Sequence, residues 1–252
     1  MFIDTHCHLD HPSLLARLPE LLKAAERVRV TRYIIPGVGP DCWESISALA
    51  ESRDGILPAY GLHPMLADQY QDDLIEKLVF YAKDAVAVGE IGLDYGVEGV
   101  SREQQILALR GQLRFAVETG LPVLFHCRKA FQDLLRIAKE ENVQRVGGVM
   151  HAFSGSIETA EEFLKLGLLI SISGTITYRN AKRPIALVDK LPLDCLLLET
   201  DAPDMTPEPY RGRVNEPAFL IEIARKVAEV KGVELEEVAE VTTRNAGLLF
   251  RC

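Results

Sequence analysis

Short apolar runs alternate with longer stretches of helical periodicity from one end of the chain to the other. The runs fall at residues 2–4, 32–36, 56–61, 85–90, 122–126, 148–151, 168–173 and 196–199, each of a length that suits a buried strand. Between them apolar positions recur in steps of three and four. In 102–119, Ile106, Leu109, Leu113 and Ala116 share a face, with Arg102, Glu103, Arg110 and Arg114 among the intervening polar positions. Pro19 opens a first helix over 19–28, where its missing N–H costs little. Further helices are predicted over 41–53, 71–83, 129–141, 156–166 and 180–190, with two more near 216–230 and 234–248. Eight strands, each followed by a helix, are what a single (β/α)8 TIM-like barrel over 1–252 requires. An open doubly wound sheet uses the same alternation and is the alternative architecture.

Composition narrows this picture. With 252 residues, 48% hydrophobic and 26% charged, the chain can bury one sizeable core. No Pro/Gly/Ser-rich linker or internal repeat divides it, so one domain is expected. The prolines of 201–216 forbid regular structure there, and a loop that long is often functional. A net charge of −9 argues against a broad electrostatic grip on duplex DNA or on an anionic membrane. It leaves room for a nucleic acid held locally by metal ions. Five cysteines form no CxxC pair, the first residues carry no basic, apolar, cleavable pattern, and no apolar run approaches the ~20 residues of a membrane span. A cytoplasmic protein with reduced thiols is expected.

The chemistry lies in where the polar residues fall. Of six histidines, His6, His8, His63, His126 and His151 sit at or just beyond the carboxyl end of a predicted strand, and only His11 does not. Glu90 ends the fourth run and Asp201 follows the eighth. In a barrel these positions converge on the face where active sites form. His6 and His8, two apart on an extended segment, point the same way, with Cys7 opposed. Together with Glu90, His126, His151 and Asp201 they make a mixed N/O ligand set, suited to Zn, Mn, Fe or Co and, with added water, to Mg.

Several motifs here resemble the TatD-related deoxyribonucleases. They include Asp4-Thr5-His6-Cys7-His8, Gly61-Leu62-His63-Pro64, Gly89-Glu90-Ile91-Gly92-Leu93-Asp94-Tyr95, and Leu121-Pro122-Val123 with His126 and Arg128. His151-Ala152-Phe153-Ser154-Gly155, Glu199-Thr200-Asp201-Ala202-Pro203 and the block from Tyr210 through Arg211, Arg213 and Asn215 to Pro217 continue the match, and Asn245 with Phe250 resembles the family's closing segment. The resemblance implies a metal-dependent hydrolase on a TIM-like barrel. It also implies that His6, His8, Glu90, His126, His151 and Asp201 bind two or more divalent ions (Mg, Mn or Zn). Two departures stand out: Gly96 where many members carry a second aromatic, and Leu109 where a Phe is frequent.

Other readings are weaker. Gly37-Val38-Gly39 follows a strand, but Cys42 takes the third glycine position of a dinucleotide motif. There is no GxSxG elbow and no HExxH helix. Cys7 and Cys127 read as buried structural thiols, and Glu98 as solvated surface. Arg128 either clamps a phosphate or pairs with an acid. Tyr210, Arg211 and Arg213, beside Asp201, are expected to touch substrate, as is His63. The expected function is divalent-metal-dependent hydrolysis of phosphodiesters, as an exonuclease-like deoxyribonuclease trimming DNA ends or short oligonucleotides; the family resemblance implies entry from the 3′ side. Glu90 would bridge metals and Asp201 would orient or deprotonate the attacking water. The alternatives are hydrolysis of a small ester, amide or cyclic amide, and a noncatalytic metal- or partner-binding barrel. No membrane association and no obligate protein partner are expected.

Overall fold

Eight parallel strands pair in chain order in the computed structural model, which describes residues 1–71 and 73–252. They are β1 (Phe2–Asp4), β2 (Val30–Pro36), β3 (Ile56–Tyr60), β4 (Ala87–Asp94), β5 (Val123–Arg128), β6 (Gly148–Met150), β7 (Leu168–Ile172) and β8 (Leu196–Leu198). The ring closes between β8 and β1 through backbone bonds beyond the strands. Thr5 N donates to Leu198 O at 3.0 Å, Asp201 N to His6 O at 2.9 Å, and His8 N to Ala202 O at 2.9 Å. Helices α1 (Pro12–Leu15), α2 (Leu18–Arg27), α3 (Pro40–Ser52), α4 (Asp73–Tyr81), α5 (Arg102–Thr119), α6 (Phe131–Glu140), α7 (Ile157–Leu164), α8 (Lys182–Lys190), α9 (Leu220–Lys231) and α10 (Leu235–Phe250) connect the strands and close the far end. The fold is the (β/α)8 TIM-like barrel, not the open sheet.

Two apolar layers hold it together. Ile3, Ile34, Ala59, Ala87, Leu124, Val149 and Leu197, one from each of seven strands, fill the barrel interior, and Ala246 and Phe250 of α10 plug its amino-terminal end. The opposite strand faces pack beneath the helices in a larger cluster that includes Trp43, Phe125, Leu134 and Phe163. Each fully buried large side chain contributes about 1.5–3 kcal/mol.

α5 illustrates how local sequence places the site. Ser101 caps it, accepting from Gln104 N at 3.2 Å while the Gln104 side chain accepts from Ser101 N at 2.9 Å. Gly120 ends it at φ +72°, a left-handed turn that glycine enters without strain. Two buried glutamines on its inner face grip backbone at the barrel mouth. Gln112 accepts from Leu62 N (2.7 Å) and donates to Leu62 O (3.2 Å), while Gln105 accepts from Asp94 N (2.8 Å) and donates to Asp94 O (2.9 Å). The residues so held, Leu62 and Asp94, adjoin the polar cluster described next.

Candidate metal centre

Strand alternation explains most of the site. Leu124 and Val149 point into the barrel, so His126 and His151, two residues further on, share that interior face at its carboxyl end. Leu197 sets Glu199 and then Asp201 the same way. Glu90 arrives differently. The run predicted to stop at 90 continues as β4 to Asp94, and the ladder slips so that Val88 faces Val123 while Ile91 faces Phe125. Three steps on β4 thus match two on β5, a bulge that re-aims the side chain. His6 and His8 are also reached by another route than expected. β1 ends at Asp4, and the chain then bends towards β2, with Cys7 N donating to Ile34 O at 3.0 Å. Cys7 is buried in the outer layer, and the two imidazoles still face the site, with ring centroids 5.0 Å apart.

Glu90 is the hub. Its carboxylate lies 3.0 Å from His126 Nδ1, 3.3 Å from His6 Nε2, 3.7 Å from His151 Nε2 and 3.8 Å from His63 Nε2. One oxygen of Asp201, Oδ1, stands 3.7–3.9 Å from the Nε2 atoms of His8, His6 and His151. Three ligand-competent groups overlap here: His6 with His8 and Glu90, His6 with His151 and Glu199, and His63 with Glu90 and His126. The six residues expected as ligands are therefore brought together, and His63 joins them.

Two further carboxylates belong to the cluster. Glu199 Oε1 is 3.0 Å from His151 Nδ1 and accepts from Ala152 N at 2.6 Å. Asp94 Oδ2 is 3.2 Å from His126 Nε2. Asp94 orients the His126 imidazole from behind, as outer carboxylates do around metal-binding histidines, and Glu199 approaches His151 Nδ1 without hydrogen-bond alignment. The signal for Glu199 was present in the alternation Leu197, Glu199, Asp201. Asp94 had no such signal, because the bulge shifts the frame in which β4 must be read.

Burial governs the charge states. It pulls His6 and His63 down to about 4. It pulls His151 down as well, but Glu199, Asp201 and Glu90 outweigh it and hold this ring up to about 10. Burial alone would raise Glu90, yet the imidazoles of His6, His151 and His63 hold it well below the carboxylate range. Asp201 is pushed well above that range by burial.

Comparison with known proteins is decisive about ancestry. The family model for TatD-related DNases matches residues 3–251. The chain belongs to the TatD-related DNase family. It is 39% identical to the uncharacterized metal-dependent hydrolase YabD of Bacillus subtilis (strain 168), covering 100% of this chain and 99% of that one. It is 33% identical to human deoxyribonuclease TATDN3, covering 98% and 94%. The crystal structure of YjjV, a TatD homologue from Escherichia coli K12, superposes with a TM-score of 0.94 at 36% identity, over 100% of this chain and 98% of the other.

The cluster fits divalent ions on its own chemistry. His6 Nδ1 is fully buried without a hydrogen-bond partner, and Nε2 approaches Glu90 without hydrogen-bond alignment. Imidazole nitrogens left unpartnered among carboxylates have the donor chemistry that a divalent cation takes. Two cavities adjoin the cluster. The larger, about 690 Å³, is lined by His8, His63, Glu90, Asp94 and Asp201 among others. The smaller, about 330 Å³, shares His126 and His151 with it.

The expected substrate contacts are dispersed. Arg128 lines the smaller cavity, exposed, 3.8 Å from Asp94, and its guanidinium occupies space that a side chain at Gly96 would need. Cys127, expected to be buried, is half-buried and lines the same cavity, because β5 runs on past His126. Tyr210 stacks on Phe219 with centroids 3.9 Å apart, Arg211 lies 3.9 Å over the Tyr178 ring, and Arg213 lies 5.5 Å over the Tyr210 ring. None of these three lines either cavity. Among the described residues no helix is long and apolar enough to cross a membrane.

Proposed function

We propose that the protein is a divalent-metal-dependent hydrolase of phosphodiester bonds that trims the ends of DNA strands or short oligonucleotides from the 3′ side. The observation that carries this reading is the cluster of His6, His8, His63, His126, His151, Glu90, Asp94, Glu199 and Asp201, all but His6 and Glu199 of which line one cavity of about 690 Å³. That space is on the scale of one or two nucleotides and is too confined for the middle of a duplex. The family, and a relative named a deoxyribonuclease, agree with it.

His6, His8, Glu90, His126, His151 and Asp201 would hold two or more ions, Mg, Mn or Zn. Such ions supply Lewis-acid charge neutralisation of the phosphoryl group and acidification of water. Asp201, on the cavity wall, orients the attacking water, whose proton passes to solvent. The water oxygen bonds to phosphorus as the P–O3′ ester bond breaks, and the departing O3′ takes a proton from solvent to become a hydroxyl. Asp94 holds the His126 ring in orientation. His63 and Arg128 contact the phosphate or leaving oxygen, and Tyr210, Arg211 and Arg213 meet the strand outside the site.

The test is a reconstituted assay. End-labelled linear single strands should be shortened, and covalently closed circles of the same sequence should survive. A chelator should abolish turnover, and Mg²⁺ or Mn²⁺ should restore it. Rapid cutting of circles would refute end entry. Turnover of an ester or amide panel without cleavage of any DNA would refute the phosphodiesterase reading.

A further inference from the structure

The two cavities that meet at His126 and His151 have opposite electrostatic character. Asp10, Asp41, Glu90, Asp94, Asp201 and Asp204 line the larger one, and no Lys or Arg does among the described residues. The smaller one has no acidic lining residue among those described; Phe153, Leu187 and Met205 give it apolar walls, and Arg128 and Arg183 stand over it. Beyond Arg183 the cations continue. Residues 178–183 carry Arg179, Lys182 and Arg183, residues 210–213 carry Arg211 and Arg213, and neither segment contains an acid. The segments are neighbours in space: Arg211 lies over the Tyr178 ring, and Glu208 N donates to Thr177 Oγ1 at 2.9 Å. All five cations are exposed, and none is ion-paired among the described residues. In a chain of net charge −9 this is a local reversal of sign on one side of the mouth.

We infer that the mouth sorts the two sides of a scissile phosphodiester by charge. The acidic cavity receives the terminal nucleoside, and the Arg128–Arg183 cavity with its cationic rim receives the rest of the strand. This rests on the phosphodiesterase reading and adds to it a rule about the strand end. A phosphate at the edge shared by His126 and His151 has one ester arm towards each cavity. The arm leading to the body of the strand carries further phosphates, which acid walls repel and guanidinium groups attract. The apolar walls beside Arg183 suit the flat face of the adjoining base. The other arm ends in a nucleoside. A terminal hydroxyl there is neutral, whereas a terminal phosphate would bring charge beside Asp41 and Asp204, carboxylates of that cavity that lie outside the metal-binding cluster.

The experiment compares a ten-nucleotide single strand ending in a 3′-hydroxyl with its 3′-phosphate twin, using metal-loaded protein. The expected kcat/KM is at least tenfold higher for the hydroxyl end. Asp41→Lys, at an exposed position, should narrow that ratio. Arg183→Ala should weaken binding of the fluorescein-labelled strand, read by anisotropy, about fivefold and make its salt dependence shallower by about one contact. Arg225→Ala, on α9 beside Met1 and Arg27 at the other end of the barrel, removes the same charge and should bind as wild type. Equal rates on the two ends, or equal losses from Arg183→Ala and Arg225→Ala, would overturn the inference while leaving the hydrolase reading standing. A wild-type protein that trims neither strand would overturn both.

Discussion

Replacing Glu90 by glutamine keeps its volume and removes one charge from the centre of the site. The side chain is 4% exposed and has four imidazole nitrogens within 3.8 Å. At an effective dielectric near 20, two unit charges about 4 Å apart interact by ~4 kcal/mol. Losing that against a cation corresponds to about a thousandfold weaker binding, and to a similar loss of rate if the same charge serves the transition state. Arg128 provides the contrast. Its side chain is 60% exposed, so a contact with the phosphate is screened by water and Arg128→Ala gives up about 1 kcal/mol, or roughly fivefold. Elemental analysis after matched reconstitution measures the first quantity, turnover of a chromogenic phosphodiester the second, and circular dichroism verifies the fold. A Glu90→Gln protein with wild-type metal content and a rate within tenfold of wild type would refute the hub role. A loss from Arg128→Ala as large as that from Glu90→Gln would refute the contrast.

Other expectations follow from the same geometry. Replacing His6 and His8 together with alanine should lower bound metal in elemental analysis while the far-ultraviolet spectrum stays that of a barrel, since the apolar interior lies below them. Burial pushes the Cys127 thiol up to about 12 and the Cys7 thiol well above its usual range, so at pH 8 both remain protonated and unreactive. Mass spectrometry after iodoacetamide should find them modified only in denaturant; rapid labelling of the native protein would contradict this. Ser101→Ala removes the capping box of α5 and should cost about 1 kcal/mol, a fall in Tm of roughly 2–4 °C. Gly92→Ala should cost about 3 kcal/mol or leave the protein insoluble, because the backbone is at φ +153° and a Cβ would sit 1.9 Å from His126 O. A Tm within 2 °C of wild type would show that β4 and β5 yield more easily than their spacing implies.

How much of this was legible without coordinates depended on whether the controlling interaction was local. The alternation of short apolar runs with three-and-four periodicity produced the barrel, because burial on both faces of a strand and on one stripe of a helix leaves its mark at every element. The clustering of His126 and His151 followed from the same two-residue period, which a strand imposes on its own side chains. Where the chain departs from that period, the sequence could not speak. β4 runs past Glu90 because a ladder with β5 extends it, and the slip between Val88 and Ile91 that turns Glu90 inward is a property of two strands together. β1 stops at Asp4, and the bend that carries His6 and His8 is set by a bond from Cys7 to Ile34 of the neighbouring strand. Asp94 and Glu199 became partners of His126 and His151 only through strand packing. Tyr210, Arg211 and Arg213 follow Asp201 in the chain, yet their rings and guanidinium groups settle on Phe219 and Tyr178, at the rim and not in the lining of either cavity. Pattern along the chain decides which face a residue takes; the neighbouring strand and loop decide what it meets there.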